Sequence, residues 1–109
     1  MAPKKRLTQL EARGIVRRYK QLLKKEHVPF ATLYLFGSYA KKNIRDWSDV
    51  DVAVVGKQFG KDYIKESVLL NTLADRVHPL LEAHPCTPII LHDTYSTFGT
   101  EIRMYGKEI

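Results

Sequence analysis

The sequence predicts an α/β (α+β) domain, a small mixed sheet of three to four strands with helices against it. Three observations lead there. Apolar, strand-like runs occupy residues 31–36, 49–55 and 87–93. The stretches around them repeat apolar residues at spacings of three and four, the period of a helix with one buried face. A chain of 109 residues is one domain, large enough for a real core.

Residues 1–7 read as a flexible basic tail, Met-Ala-Pro-Lys-Lys-Arg-Leu, and residues 8–109 as one domain. From Thr8, a plausible N-cap, to about Glu26, the positions Ile15, Val16, Tyr19, Leu22 and Leu23 follow helical spacing and leave the bases on the other side. Residues 1–25 carry nine Lys or Arg against a single acid, Glu11, whereas the other 84 carry nine bases and eleven acids, so the net charge of +6 is local to one arm and helix. That cationic face is either solubilising or a surface for an acidic partner. Nucleic acid is not favoured, because few aromatics are interleaved with the bases.

The run Ala31-Thr32-Leu33-Tyr34-Leu35-Phe36 predicts a buried strand that stops at Gly37, where backbone and ligand can approach closely and φ can be positive. Ser38 is positioned to cap a short helix over Tyr39-Ala40-Lys41-Lys42, whose free N–H groups attract an anion. Lys41, Lys42 and Arg45 in the following loop either lean on that anion or on a partner's backbone, or are ordinary surface bases. Trp47 either stacks on a base or anchors the loop. A second strand, Asp49 to Val55, opens with two carboxylates at i and i+2, on one face and roughly 6.5–7 Å apart.

After the connection Gly56–Gly60, Asp62 caps a helix whose residues Ile64, Val68, Leu69, Leu73, Val77, Leu80 and Leu81 form a wide apolar stripe ending near His78-Pro79. His78 and His84 read as surface residues. Thr87 to Asp93 predicts a third strand, and Thr94 to Ile102 a last helix with Ser96 as its cap. The single Cys86 excludes an internal disulfide and reads as a structural thiol. No apolar run reaches bilayer length and none follows the basic N-terminus as in a signal peptide, so no membrane association and a cytoplasmic location are expected.

Gly-Ser after a strand, taken alone, is often only a turn, and Asp-x-Asp at a strand start is often a solvated pair. Together, between apolar strands and ten residues apart, they read as a nucleotide site. The N–H groups after Gly37 hold phosphate, while Asp49 and Asp51 hold Mg²⁺, which usually takes one or two carboxylates plus phosphate oxygens.

Gly37-Ser38, ten residues, then Asp49-Val50-Asp51 resembles the signature of minimal nucleotidyltransferase (MNT) domains of the DNA polymerase beta superfamily. The resemblance covers nearly the whole chain and implies the nucleotidyltransferase fold. It implies catalytic Asp49 and Asp51 as metal ligands, nucleotide-binding Gly37 and Ser38, Mg²⁺ as cofactor and ATP as substrate. It also implies a third carboxylate on a strand beside Asp-x-Asp. The expected place, near Thr87-Pro88-Ile89, holds no acid. Asp93 is the nearest candidate, as metal ligand or base, or else merely a turn-forming residue; His92 is the other, on the opposite face.

Stand-alone MNT proteins of this size are similar to the antitoxin halves of HEPN/MNT toxin–antitoxin pairs. The implied partner is a HEPN-family toxin, an all-helical ribonuclease adenylylated on tyrosine in some pairs. Two alternatives stay open: a non-catalytic MNT-fold antitoxin acting by complex formation, and a small-molecule nucleotidyltransferase.

Overall fold

Thr8 opens the first helix with a reciprocal cap: its hydroxyl accepts from the Glu11 N–H at 3.0 Å, and the Glu11 carboxylate accepts from the Thr8 N–H at 2.9 Å. In the computed structural model, which describes residues 7–41 and 48–109, this helix is α1 (Gln9–Lys25). It buries Ala12, Ile15, Val16, Tyr19 and Leu23, the face that the spacing predicts. Then follow β1 (Thr32–Phe36), α2 (Ser38–Lys41), β2 (Val50–Val55), α3 (Tyr63–Asp75), β3 (Leu81–Cys86), α4 (Pro88–His92), α5 (Thr97–Tyr105) and β4 (Lys107–Glu108).

The four strands form one mixed sheet in the order β3-β2-β1-β4. β1 runs antiparallel to both β2 and β4, and β2 runs parallel to β3 through the α3 crossover. Because side chains alternate along a strand, the sheet separates two cores. Leu33, Leu35, Val50, Val52, Val54, Leu81 and Ala83 pack against α1 and α3. Phe36, Ala53, Val55 and Cys86 face Leu91 of α4 and Ile102 of α5. The Tyr19 hydroxyl donates to the Leu70 carbonyl at 2.8 Å and ties α1 to α3, and burial pushes its phenol well above the ordinary range. Cys86 is free and buried, and burial pushes its thiol up to about 11, in keeping with a structural role.

Three expectations need correction. The third strand is Leu81–Cys86, and Pro88–His92 is a helix. Thr87 caps that helix by accepting from the Ile90 N–H at 3.1 Å, and Pro88 stands where its missing N–H costs nothing. Pro85 is tolerated within β3 because that strand lies at the edge of the sheet. The long helix stops at Asp75, so Val77, Leu80 and Leu81 lie outside it; Leu70, Leu73 and Ala74 carry the packing while Ile64 and Val68 are exposed. Ser38 is the first residue of α2, with the Gly37 carbonyl accepting from the Ala40 and Lys41 N–H groups.

The expected caps Asp62 and Ser96 do cap α3 and α5. Residues 1–6 of the basic tail, and Lys42, Arg45 and Trp47, lie outside the described residues. Among the described residues no helix is long and apolar enough to cross a membrane.

Candidate functional site

β1, β2 and β3 deliver a set of side chains to one end of one sheet face. The ladder places Asp51 beside Phe36 on one side and beside Glu82 on the other. Two residues further along β3, His84 points the same way as Glu82. Asp51 is the hub of the set. Its Oδ1 lies 3.1 Å from His84 Nε2, and that same nitrogen lies 3.7 Å from Glu82 Oε1.

The Gly37 turn closes on the same carboxylate. Gly37 has φ +74°, and a Cβ built there would collide with Asp51 Oδ2. Glycine is therefore favoured at this position by backbone conformation, and any side chain there would displace the Asp51 carboxylate. Asp49 lies one residue before β2, exposed, and near enough to Glu82 to raise that carboxyl. Asp49, Asp51, Glu82, His84 and the Gly37 turn thus share one location, and Ser38 follows directly as the start of α2.

Electrostatically the cluster is short of positive charge. Partial burial raises the Glu82 carboxyl above the ordinary glutamate range; His84 opposes the shift, while Asp51 and Asp49 add to it. The sign of the pH effect follows. A carboxyl whose pKa is higher folded than unfolded stabilises the fold at low pH, and that contribution fades as pH rises from about 4.3 through the folded value. The metal-free protein is accordingly expected to lose stability over that window, and Glu82→Gln to flatten the loss. Urea midpoints measured between about pH 4 and about pH 8 check it.

The site's frame is built by residues outside the acidic cluster. The Asn71 side chain on α3 donates to the Ala83 carbonyl at 2.9 Å and accepts from the Ala83 N–H at 2.8 Å. Ala83 sits between Glu82 and His84, so Asn71 seals the open edge of β3 at the point where both side chains leave it. Asn71→Leu leaves both backbone groups without that partner and is expected to destabilise the protein by about 1–3 kcal/mol in urea unfolding. Phe36 meets the His84 ring edge-on at 5.1 Å and Phe98 lies 6.1 Å from it. Lys41 holds α2 to α5 through Glu101 at 2.8 Å, and its ammonium lies over the Tyr105 ring. Beyond His84 a cavity of about 270 Å³ opens between Phe59, Tyr63, Pro85, Ile90 and Phe98. It is an apolar compartment beside the acids.

Asp93 is not on a strand. It ends α4 in an exposed turn, its carboxylate accepting from the Tyr95 N–H at 2.9 Å, and His92 is exposed at the end of the same helix. The residues that sequence reasoning missed are Glu82 and His84. Their signal is the alternation Leu81-Glu82-Ala83-His84, a period of two overlooked because the preceding leucines extended a helical stripe across it.

The family model described as "Polymerase beta, Nucleotidyltransferase" matches residues 18–109. No curated protein matches the chain significantly. Among solved structures, a candidate nucleotidyltransferase from Sulfolobus solfataricus superposes with a TM-score of 0.59 at 15% identity, over 73% of this chain and 70% of that one. A toxin–antitoxin structure with AMP-PNP superposes with a TM-score of 0.61 at 23% identity, over 84% of this chain and 69% of that one. At these identities the two likenesses show the fold.

Proposed function

The chain belongs to the polymerase beta nucleotidyltransferase family, and from that premise we propose that it is an MNT-type antitoxin that binds a HEPN-family toxin and adenylylates it with ATP and Mg²⁺. The observation that carries the catalytic part is the convergence of Asp49, Asp51 and Glu82 on one sheet end with the Gly37 turn closed against Asp51. Glu82 lies on the strand beside Asp-x-Asp, and in this reading it takes the role for which the sequence offers Asp93 or His92. The antitoxin part rests on the MNT resemblance and on the likeness to a toxin–antitoxin structure that contains AMP-PNP.

The donor set fits a divalent cation: the ligand atoms of Asp51, Glu82 and His84 lie within 4.8 Å of one another, with Asp49 beside Glu82. Asp49, Asp51 and Glu82 would hold the ion, which when bound offsets the charge of the triphosphate during transfer. Backbone N–H groups after Gly37 and the Ser38 hydroxyl would receive the β- and γ-phosphates. With the phosphates so held, an acceptor hydroxyl from the partner would attack the α-phosphorus in line. Its oxygen forms the new bond, its proton passes to a Glu82 oxygen, and the bond to the β-phosphate breaks with pyrophosphate leaving.

The test is incubation with α-labelled ATP, Mg²⁺ and the product of the adjacent gene. Label on that protein supports the enzyme. A tight complex that never acquires label would overturn the transfer reading and leave an antitoxin acting by complex formation.

A further inference from the structure

We propose that His84 is a metal ligand of this site, so that the centre is a carboxylate–carboxylate–imidazole set that holds first-row transition ions more tightly than Mg²⁺. The inference rests on reading Asp51 and Glu82 as metal ligands and adds a nitrogen donor to them.

The spacing carries it. The ligand atoms of Asp51, Glu82 and His84 all lie within 4.8 Å of one another. His84 Nε2 is 3.1 Å from Asp51 Oδ1 and 3.7 Å from Glu82 Oε1. A divalent ion with bonds of about 2.1–2.2 Å requires donor atoms about 3.0–3.6 Å apart, from right-angled to tetrahedral coordination. The observed separations are close to those of a coordination polyhedron before any side chain moves.

The ring is also held for the task. Glu82 and His84 are two residues apart on β3 and leave the same face, while Asn71 grips the backbone between them on both its N–H and its carbonyl. Phe36 packs edge-on against the imidazole at 5.1 Å. The nitrogen is therefore delivered to the carboxylates by a strand whose position is fixed from its other edge.

The chemistry then sets a preference. Mg²⁺ takes oxygen donors in a near-octahedral shell and keeps its waters, so an imidazole contributes little to its binding. Manganese and the later first-row ions accept a nitrogen donor, with affinity rising from manganese to copper and falling back at zinc.

The experiment uses the full-length protein loaded with Mn²⁺, read by pulsed electron paramagnetic resonance, alongside calorimetric titrations with Mn²⁺ and Mg²⁺. Wild type is expected to show ¹⁴N modulation from a coordinated imidazole and to bind Mn²⁺ about 10-fold or more tightly than Mg²⁺. In His84→Gln the modulation disappears, Mn²⁺ still binds through the carboxylates, and the preference over Mg²⁺ collapses. Bound Mn²⁺ without ¹⁴N modulation in wild type, or modulation that persists in His84→Gln, would overturn the role of His84 and leave the carboxylate site standing. Failure of wild type to bind Mn²⁺ at all would overturn the metal-site reading together with this proposal.

Discussion

Replacing Asp49 and Asp51 together by alanine is expected to reduce nucleotidyl transfer about 1,000-fold or more, with the fold retained. Asp51 is half-buried yet makes its contacts to His84 and the Gly37 turn, and Asp49 lies exposed ahead of β2, so neither fills the core. Removing two like charges beside Glu82 relieves repulsion, and the metal-free double variant should unfold at a urea concentration equal to or above that of wild type. Retained stability with lost transfer places the defect in the chemistry. If the same variant still neutralised the partner in cells, neutralisation would run through complex formation and transfer would be dispensable for it.

The second large effect is at Gly37, where Gly37→Ala should both destabilise the protein and weaken ATP binding. A left-handed φ of +74° costs a non-glycine residue about 1–2 kcal/mol. The added methyl also collides with the Asp51 carboxylate, so either the turn or Asp51 must move. Those are the two halves of the proposed nucleotide site, so ATP affinity is expected to fall about 10-fold or more alongside the stability loss. Urea unfolding and nucleotide titration, run on the same sample, separate the two parts. A variant with wild-type ATP affinity would mean that the turn and Asp51 do not act on one ligand.

The legible parts of the sequence are those in which one local signal decides the outcome. Thr8, Asp62 and Ser96 are caps, and each caps the helix expected of it. The runs at 31–36 and 49–55 are strands because β-branched and aromatic residues fill them between polar turns, although Asp49 falls one residue short of the ladder. Gly37 could be read as a close-approach residue, but only the pairing of Phe36 with Asp51 shows what approaches it.

The region after Asp75 was harder because two periods compete there. Leu80 and Leu81 continue a helical stripe when read with Leu73 and Val77, and they begin a strand when read with Ala83. Ile89-Ile90-Leu91 looks like a strand by composition, yet Thr87-Pro88 starts a helix, and Ile89 ends 80% exposed. A strand placed at 87–93 instead of 81–86 puts no acid directly beside Asp-x-Asp. Glu82 becomes visible once β3 is paired with β2, since pairing in register is a tertiary fact that no window of sequence contains.

The most direct test of the central claim is a crystal structure of the protein soaked with Mn²⁺ and a non-hydrolysable ATP analogue, with the metal located by its anomalous scattering. The account predicts one anomalous peak in contact with Asp51 and Glu82, and phosphate oxygens on the N–H groups that follow Gly37. A nucleotide bound on the basic face of α1, or a metal lodged away from Asp51, would contradict it.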